Sequence, residues 1–442
     1  MIKVKLTNWP AKKPIEAISH AAKTCYEGKI PKWGGTIDTK GRLFDTGHHT
    51  TFQHTNHTFT IDNISIGDIT LGLHLANPFY NSSQRSGRFC AGMFAKPNIK
   101  FLAKYINHYW PGSAKKDVID YISAASTLYQ KNIEVATEKA VGIIKEERPF
   151  ANEKYIQQNA PKIAQEQLRV VVPLIFPTGI TYTVNTSALS ALYRSAWSPV
   201  LLDLTQKMAD LVLKKDPRLE FAFDRGESNA SSVKLPSSFS GFFKKPLLRL
   251  KSSGDSSFFV KPTAEELHPI DLLHFTSRLM NNNVEEIKTE VELSLATMGQ
   301  DQRHRTVKRS SPSFTGGFYL PPIVSLLEIE KEVEVLFEKW LSFQEKGIDQ
   351  DLISLLAPYG AMVKYSKSAS YNAAIHELHK RLCWCAQEEI YHLTLSLREQ
   401  LGDHPITEMM APNCALTGRC GEGTRFCGRD LKNRNHFPQR KV

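Results

Sequence analysis

QLRVVVP at residues 167–173 and LISLLAP at residues 352–358 are two largely apolar runs that each close on a proline. After each proline comes a polar segment with aromatics, TYTVNTSALSALYR at 181–194 and VKYSKSASYNAAIHELHKR at 363–381. In this register Asn185 falls opposite Ser370, and Arg194 opposite His379. Pattern rather than identity carries the match. Outward from these runs the chain reads as one plan written twice. Each copy has an extended opening (IKVKL at 2–6, PLLRLK at 246–251), a helical stretch, a loop rich in Ser and Arg, and a long amphipathic helix. A repeat of ~200 residues is a domain duplication rather than a solenoid unit. The division expected is a first repeat at 1–227, a linker at 228–245 and a second repeat at 246–442. SNASSVKLPSSFS at 228–240 has the serine-rich composition of such a connection. The first half carries extra residues between its loop and its proline, read as a surface insertion from Tyr105 to Pro161.

Composition agrees with two globular units. The chain has 442 residues, 41% hydrophobic and 23% charged, which excludes disordered and fibrous classes. No apolar run approaches the ~20 residues of a membrane span, so no membrane role is expected. MIKVKLTNWPAKK at the start has no apolar core behind its lysines, so the expected compartment is cytoplasmic. A formal net charge of +11 favours phosphate-bearing partners: nucleotides, flavins or nucleic acid. The lysines are scattered, so a nucleotide is favoured over a dedicated nucleic-acid arm.

Local periodicity adds three helices to the expectation. Asp117 to Glu147 and Ile323 to Phe343 carry apolar residues at helical spacing. A third is placed from about Asn283 to Gln302.

The chemistry concentrates in a few short strings. Arg303-His304-Arg305 is followed after seven residues by Ser313, within a loop of Ser, Thr and Gly. Two guanidinium groups beside an imidazole and loop hydroxyls suit a phosphate or pyrophosphate. By residue type alone, the exposed basic end of a helix is the better explanation of the triplet. In the first half NSSQRSGRF spans 81–89 and GHHTTFQH spans 47–54. The second half adds Arg381-Leu382-Cys383-Trp384-Cys385-Ala386-Gln387-Glu388-Glu389-Ile390.

Together these strings resemble the flavin-dependent thymidylate synthases, whose pattern runs RHR-x7-S with NExSGRY. The second half keeps RHR and Ser313 but lacks the Asn, Glu and Arg that follow. The first half keeps Ser86-Gly87-Arg88-Phe89, with Gln84 at the Glu position, but has Ala76-Asn77-Pro78 where RHR belongs. GHHTTFQH is similar to the family's GHxSPFEH, whose last histidine contacts flavin and is His54 here. Residues 381–390 are similar to the LR-x4-AQ-x-EI helix.

What the resemblance implies is an α+β fold of two ThyX-like domains, each a twisted antiparallel sheet with long helices. It also implies FAD as cofactor, with NADPH and methylenetetrahydrofolate as co-substrates and dUMP as the nucleotide. Arg303, His304 and Arg305 become the catalytic triplet and, with His54, Gln84, His379 and Arg381, the flavin site. Ser86, Gly87, Arg88, Ser313 and Lys364 become the substrate contacts. Three substitutions depart from the pattern: Lys364 and Gly179 for phosphate arginines, and Tyr391 for a substrate arginine. They leave open another nucleotide, a uridine in RNA, or a paralogue that binds flavin or nucleic acid without turnover. The family assembles as a tetramer with sites between subunits, so a homodimer of two-repeat chains forming a pseudo-tetramer is expected.

Seven cysteines remain. Cys25 and Cys90 stand alone, and reduced thiols are expected without a disulfide framework. Cys414, Cys420 and Cys427, with His404, Cys383 or Cys385 as a further donor, are candidates for structural zinc. The equal alternative is a flexible tail with reactive thiols.

Overall fold

In the computed structural model of the chain, the described residues are 1–6, 13–24, 36–45, 49–75, 80–88, 90, 93–225, 233–274, 277–421 and 426–442. Cys25, Gly47, His48, Ala76 to Pro78, Phe89 and the first part of the serine-rich stretch lie outside them.

Two sheets organise the protein. The first contains β1 (Lys3–Leu6), β2 (Asn56–Ser65), β3 (Tyr80–Gln84) and β4 (Pro177–Asn185). The second contains β5 (Gly241–Phe243), β6 (Leu247–Ser252), β7 (Glu286–Ser294), β8 (Lys308–Arg309), β9 (Ser313–Tyr319) and β10 (Ala361–Ser370). The first sheet runs β1-β2-β4-β3, and the second runs β6-β7-β10-β9-β5, with β8 also on β10. Strand for strand the order is the same as far as β9. The fold is α+β with antiparallel pairing, apart from β5, which joins β9 in parallel. This edge strand falls inside the stretch read as a linker.

Sequence periodicity explains most strands. In β4 Ile180, Tyr182 and Val184 are buried while Thr181 is exposed, the two-residue alternation of a half-buried sheet. The same alternation runs through β7, where Ile287, Thr289, Val291 and Leu293 are buried and Lys288 is exposed. The expected helix from Asn283 to Gln302 is therefore a strand followed by a short helix, Leu295–Asp301. Charged residues on alternate positions of β7 lie on the solvent face and imitate the polar side of a helix.

Matching caps mark the ends of matching strands. Ser65 and Ser294 close β2 and β7 and accept from Asp68 N (2.9 Å) and Thr297 N (3.2 Å). Asn185 and Ser370 close β4 and β10 and accept from Ala188 N (2.7 Å) and Ala373 N (3.4 Å). Each satisfies a free amide at a helix start.

Two helical expectations change. The helix read from Ile323 to Phe343 is broken into Pro322–Ser325 and Glu330–Leu341, with Glu328 at φ +56° between them. The helix read through Arg381 to Ile390 ends at Arg381, and a new one runs Glu388–Leu401. The long helix Lys116–Glu147 is present, but its segment is no surface insertion. Tyr121 is buried and donates to Leu356 O at 2.8 Å, and its ring meets Phe343 edge-on. Apolar residues of both halves form one continuous core.

The halves meet at the two prolines. Pro173 and Pro358 form an isolated antiparallel bridge. Leu174 N donates to Ala357 O (3.0 Å) and Tyr359 N to Val172 O (2.9 Å). In the same way Gly67 N donates to Leu174 O and Ala296 N to Tyr359 O, both at 3.0 Å. The C-terminal tail is docked rather than free: Lys441 O accepts from Gln167 Nε2 (2.6 Å), and Arg440 Nη2 donates to Trp384 O (2.9 Å). No helix among the described residues is long and apolar enough to cross a membrane.

Candidate functional site

Arg303, His304 and Arg305 form the turn that leaves helix Leu295–Asp301. A buried network fixes this turn. Asp301 receives Arg309 Nε (2.5 Å), Lys367 Nζ (2.5 Å) and Tyr365 Oη (2.8 Å). Lys367 also donates to Glu377 at 2.7 Å, so two cations and two carboxylates share one buried space. Burial opposes ionisation of Asp301, but Arg309 and Lys367 outweigh it and hold its carboxyl well below the usual range. Arg309 then closes the loop through His304 O (3.0 Å) and Val307 O (2.8 Å). The start of the helix is held as well. Glu389 accepts from Ser294 N (2.7 Å), Ser294 Oγ (2.5 Å) and Thr297 Oγ1 (2.6 Å).

The turn faces the other half of the chain. Arg305 Nη2 donates to Ser82 O (2.9 Å) and Ser82 Oγ (2.8 Å), with its guanidinium 5.1 Å from the Tyr80 ring centroid. Gln84 shares this face of β3 with Tyr80 and Ser82, because alternate strand residues point the same way. His74 stacks on Tyr80 at 5.2 Å, and burial beside Arg305 and Arg303 pushes its pKa down to about 3. His304 is buried, 5.3 Å from the His376 ring, and held neutral by burial and by the charge of Arg381.

The loop after β3 supplies Ser86, Gly87 and Arg88. Arg88 is paired with Glu166 and donates to Cys385 O at 2.8 Å, so it also bridges the halves. Gln165 Nε2 donates to Gly87 O (2.8 Å) and Cys90 O (3.0 Å). A Cβ on Gly87 would stand 3.0 Å from Arg169 Nη1, which explains the glycine. Arg169 is buried, donates to Gln387 Oε1 (3.1 Å) and Ala296 O (3.3 Å), and lies over the Tyr359 ring. Gln300 Nε2 bonds the same Gln387 oxygen. Arg381 completes the group by donating to Gln300 O at 2.5 Å.

Electrostatics give this cluster its character. Burial, with Arg169 and Arg381 nearby, pushes Arg88 down to about 9. Burial pushes Arg381 to about 10 against the pull of Glu377 and Asp301, and burial beside Arg305 lowers Arg303. A site where cations destabilise one another favours a bound anion. Several buried polar atoms here have no hydrogen-bond partner: Arg169 Nε, Arg305 Nε, Arg381 Nε, His304 Nδ1 and Gln387 Nε2. Buried donors without acceptors are costly, and a polyanion satisfies them.

Not every residue expected at the site comes to it. Ser313 and Lys364 are cross-strand partners, but Lys364 pairs with Glu290 at 3.1 Å on the sheet face opposite Tyr365 and Lys367. His54 is exposed and precedes β2, while the Arg305 contact is on β3, two strands away. His379 commits Nε2 to Met409 O at 2.9 Å. Tyr391 is built into the tail dock, donating to Pro438 O at 3.0 Å under Arg440.

In the cysteine tail Cys427 is in hydrogen-bonding reach of Cys385, which also reaches Cys383, and Cys414 is close enough to Cys383 and Cys420 to feel their charge. His404 turns to Tyr371 instead. Among the described residues no group of three or more His, Cys, Asp or Glu side chains is placed to hold a metal ion.

Sequence reading missed Arg169, Gln300, Glu166 and the Asp301 network. One signal was available: Arg169 is the single charged residue in QLRVVVP, and a cation in a buried apolar run needs partners.

The scaffold is α+β, with a buried cluster of arginines where its two like sheets meet. Residues 6–215 match the family model described as Thymidylate synthase complementing protein. The matched segment holds β2 to β4 and the Ser86-Gly87-Arg88 loop, whereas Arg303 to Arg305 lie beyond it. Comparison with curated sequences finds no match. Similar solved structures include thymidylate synthase X from Helicobacter pylori with FAD and dUMP, at 18% identity and a TM-score of 0.30. That match covers 51% of this chain and 100% of the other. A second structure from the same organism, a flavin dependent thymidylate synthase complexed with FAD and dUMP, has 18% identity and a TM-score of 0.29. It covers 50% of this chain and 98% of the other.

Proposed function

We propose that the protein is a flavin-dependent enzyme that methylates a pyrimidine nucleotide, dUMP being the substrate its motifs fit best. The observation that carries this reading is the contact of Arg305 with Ser82, which sets the Arg303–Arg305 turn of one half against the strand that leads to Ser86-Gly87-Arg88 in the other. Each half retains what the other lacks. On this reading the chain is a tandem duplication whose two copies build one site.

The residues fit an FAD pyrophosphate and a nucleotide phosphate. Buried, unpaired donors on Arg169, Arg305 and Arg381 are what phosphate oxygens require. In this proposal Arg303, Arg305 and Arg381 hold the flavin phosphates, and neutral His304 donates or accepts one hydrogen bond. Arg88 and Arg169 orient the nucleotide, with Glu166 and Gln387 fixing their guanidinium planes. When bound, the flavin would supply the hydride that turns a methylene from methylenetetrahydrofolate into a methyl group, with NADPH as reductant. The protein's own part is to bind, orient and exclude water from a low-dielectric cleft.

A second reading keeps the scaffold and changes the substrate to another nucleotide or to uridine in RNA. Tyr391 favours it, since the position where the resemblance expects a substrate arginine is occupied by the tail dock. His54 and Lys364 would join a site only across a subunit contact, which is the basis for proposing a homodimer of pseudo-tetrameric form.

The test is an FAD titration of the purified protein followed by dUMP. A bound flavin whose absorbance shifts with dUMP supports the synthase reading and calls for a tritium-release assay. A flavin that ignores dUMP but responds to another uridine compound favours the second reading. An absence of flavin binding removes both.

A further inference from the structure

The two halves pair reciprocally, so each feature of the Arg169 cluster has a counterpart in the other half. The register follows from two anchors, the Pro173–Pro358 bridge and the amides of Gly67 and Ala296 that bond Leu174 O and Tyr359 O. Counted from these, Glu166, Arg169 and Val170 correspond to Asp351, Ser354 and Leu355. Ala296, Thr297 and Gln300 correspond to Gly67, Asp68 and Leu71. Gln387, which precedes helix Glu388–Leu401, corresponds to Ser198, which caps helix Pro199–Leu213.

These counterparts are together in space. Asp68, Leu71, Ser198, Asp351, Ser354 and Leu355 all line one recess of about 320 Å³, with Trp197 and Leu201 on its wall. The recess is therefore the second copy of the Arg169 position. Its chemistry is inverted. Where one copy has a guanidinium and two amides, the other has a serine hydroxyl, a leucine and a second serine. Two carboxylates face the recess, and Asp68 is fully occupied by Ser65 Oγ (2.5 Å) and Tyr105 Oη (3.0 Å). The first copy presents buried donors without acceptors; the second presents acids and apolar walls, which repel an anion.

We infer that each chain builds one site for phosphate-bearing ligands rather than two, and that Arg169, fixed by Gln387, is the residue that makes one of two equivalent positions an anion site. The inference rests on the proposed flavin and nucleotide reading for the identity of the ligand. Arg169 carries this role because no cation replaces it at Ser354, and because its Nε is buried without a partner. Gly87 belongs to the same device, since a Cβ there would stand 3.0 Å from Arg169 Nη1 and push the guanidinium from its place.

The test is the stoichiometry of FAD binding to the full chain by fluorescence titration, followed by dUMP titration of the flavin-loaded protein and of Arg169→Ser, which installs the residue of the second copy. The expected result is one FAD per chain, at least ~10-fold weaker dUMP binding in Arg169→Ser and unchanged dUMP binding in Ser354→Ala. Two FAD per chain would overturn the inference and leave the flavin reading intact. One FAD per chain with undiminished dUMP affinity in a folded Arg169→Ser variant would overturn the role of Arg169. If that variant does not fold, wild-type stoichiometry and the milder Arg169→Lys still decide. No FAD binding by the wild type removes the reading and the inference together.

Discussion

Pro173 and Pro358 face each other across an antiparallel bridge, and the hydrogen bonds on either side of them are reciprocal. Neither proline can donate, so the flanking amides of Leu174 and Tyr359 make the pairing. A self-complementary contact of this kind is how identical subunits meet about a two-fold axis. Here it joins two halves of one chain, and the candidate site lies beside it.

Because the long helix Lys116–Glu147 crosses this junction, the halves should unfold together. Tyr121→Phe removes the bond to Leu356 O and should cost about 1 kcal/mol. Urea denaturation should show one transition whose midpoint falls with its slope unchanged. Two separated transitions would mean that the halves melt independently.

Gly87→Ala places a methyl 3.0 Å from Arg169 Nη1 and 3.3 Å from the Phe94 ring, in a packed region. The strain expected is roughly 1–3 kcal/mol, the cost of overpacking. FAD or nucleotide affinity should fall more than stability does, because Arg169 must move. Isothermal titration beside a thermal melt separates the two effects, and equal losses would argue for a purely structural glycine.

Asp301→Asn keeps the shape of the carboxylate and removes its charge, leaving Arg309 and Lys367 short of a buried partner. Breaking a buried ionic network by one member costs about 3–5 kcal/mol. The Arg303–Arg305 turn should loosen in consequence. Chemical denaturation measures the first effect, and hydrogen exchange across residues 302–309 measures the second. Unchanged exchange would show that the turn is held by other contacts.

Glu388 and Glu389 are adjacent and buried, and burial raises both to about 7. A raised acid pKa means that the folded state binds protons that the unfolded chain has released. The associated stability is complete below the ordinary value near 4.5 and is lost as pH rises through about 7. Melting temperature should therefore fall between pH 5.5 and pH 8. Glu388→Gln, which can still accept from Tyr319 Oη, should flatten part of that slope. A melting temperature independent of pH over this window would contradict the burial of these acids in neutral form.

The sequence by itself determined the like order of elements in the two halves, the β-strands at both openings, and the arginine-bearing strings from which the candidate site is drawn. These are local properties: apolar periodicity, a proline after an apolar run, and arginines beside Ser and Gly. It misjudged β7, because charges on alternate residues read equally well as the polar side of a helix. It also joined segments that a turn separates, as between Arg381 and Glu388, where no glycine or proline announces the break. Tertiary structure alone decided which motifs meet. Arg305 lies against Ser82 while Lys364 turns to the opposite sheet face and pairs with Glu290. Nothing in a linear string distinguishes those fates, since strand parity and the reciprocal docking of the halves set them. Arg169 is the clearest instance. Its charge is visible among valines at residue 169, but its setting depends on Gly87, Gln300 and Gln387, brought to it from three distant parts of the chain.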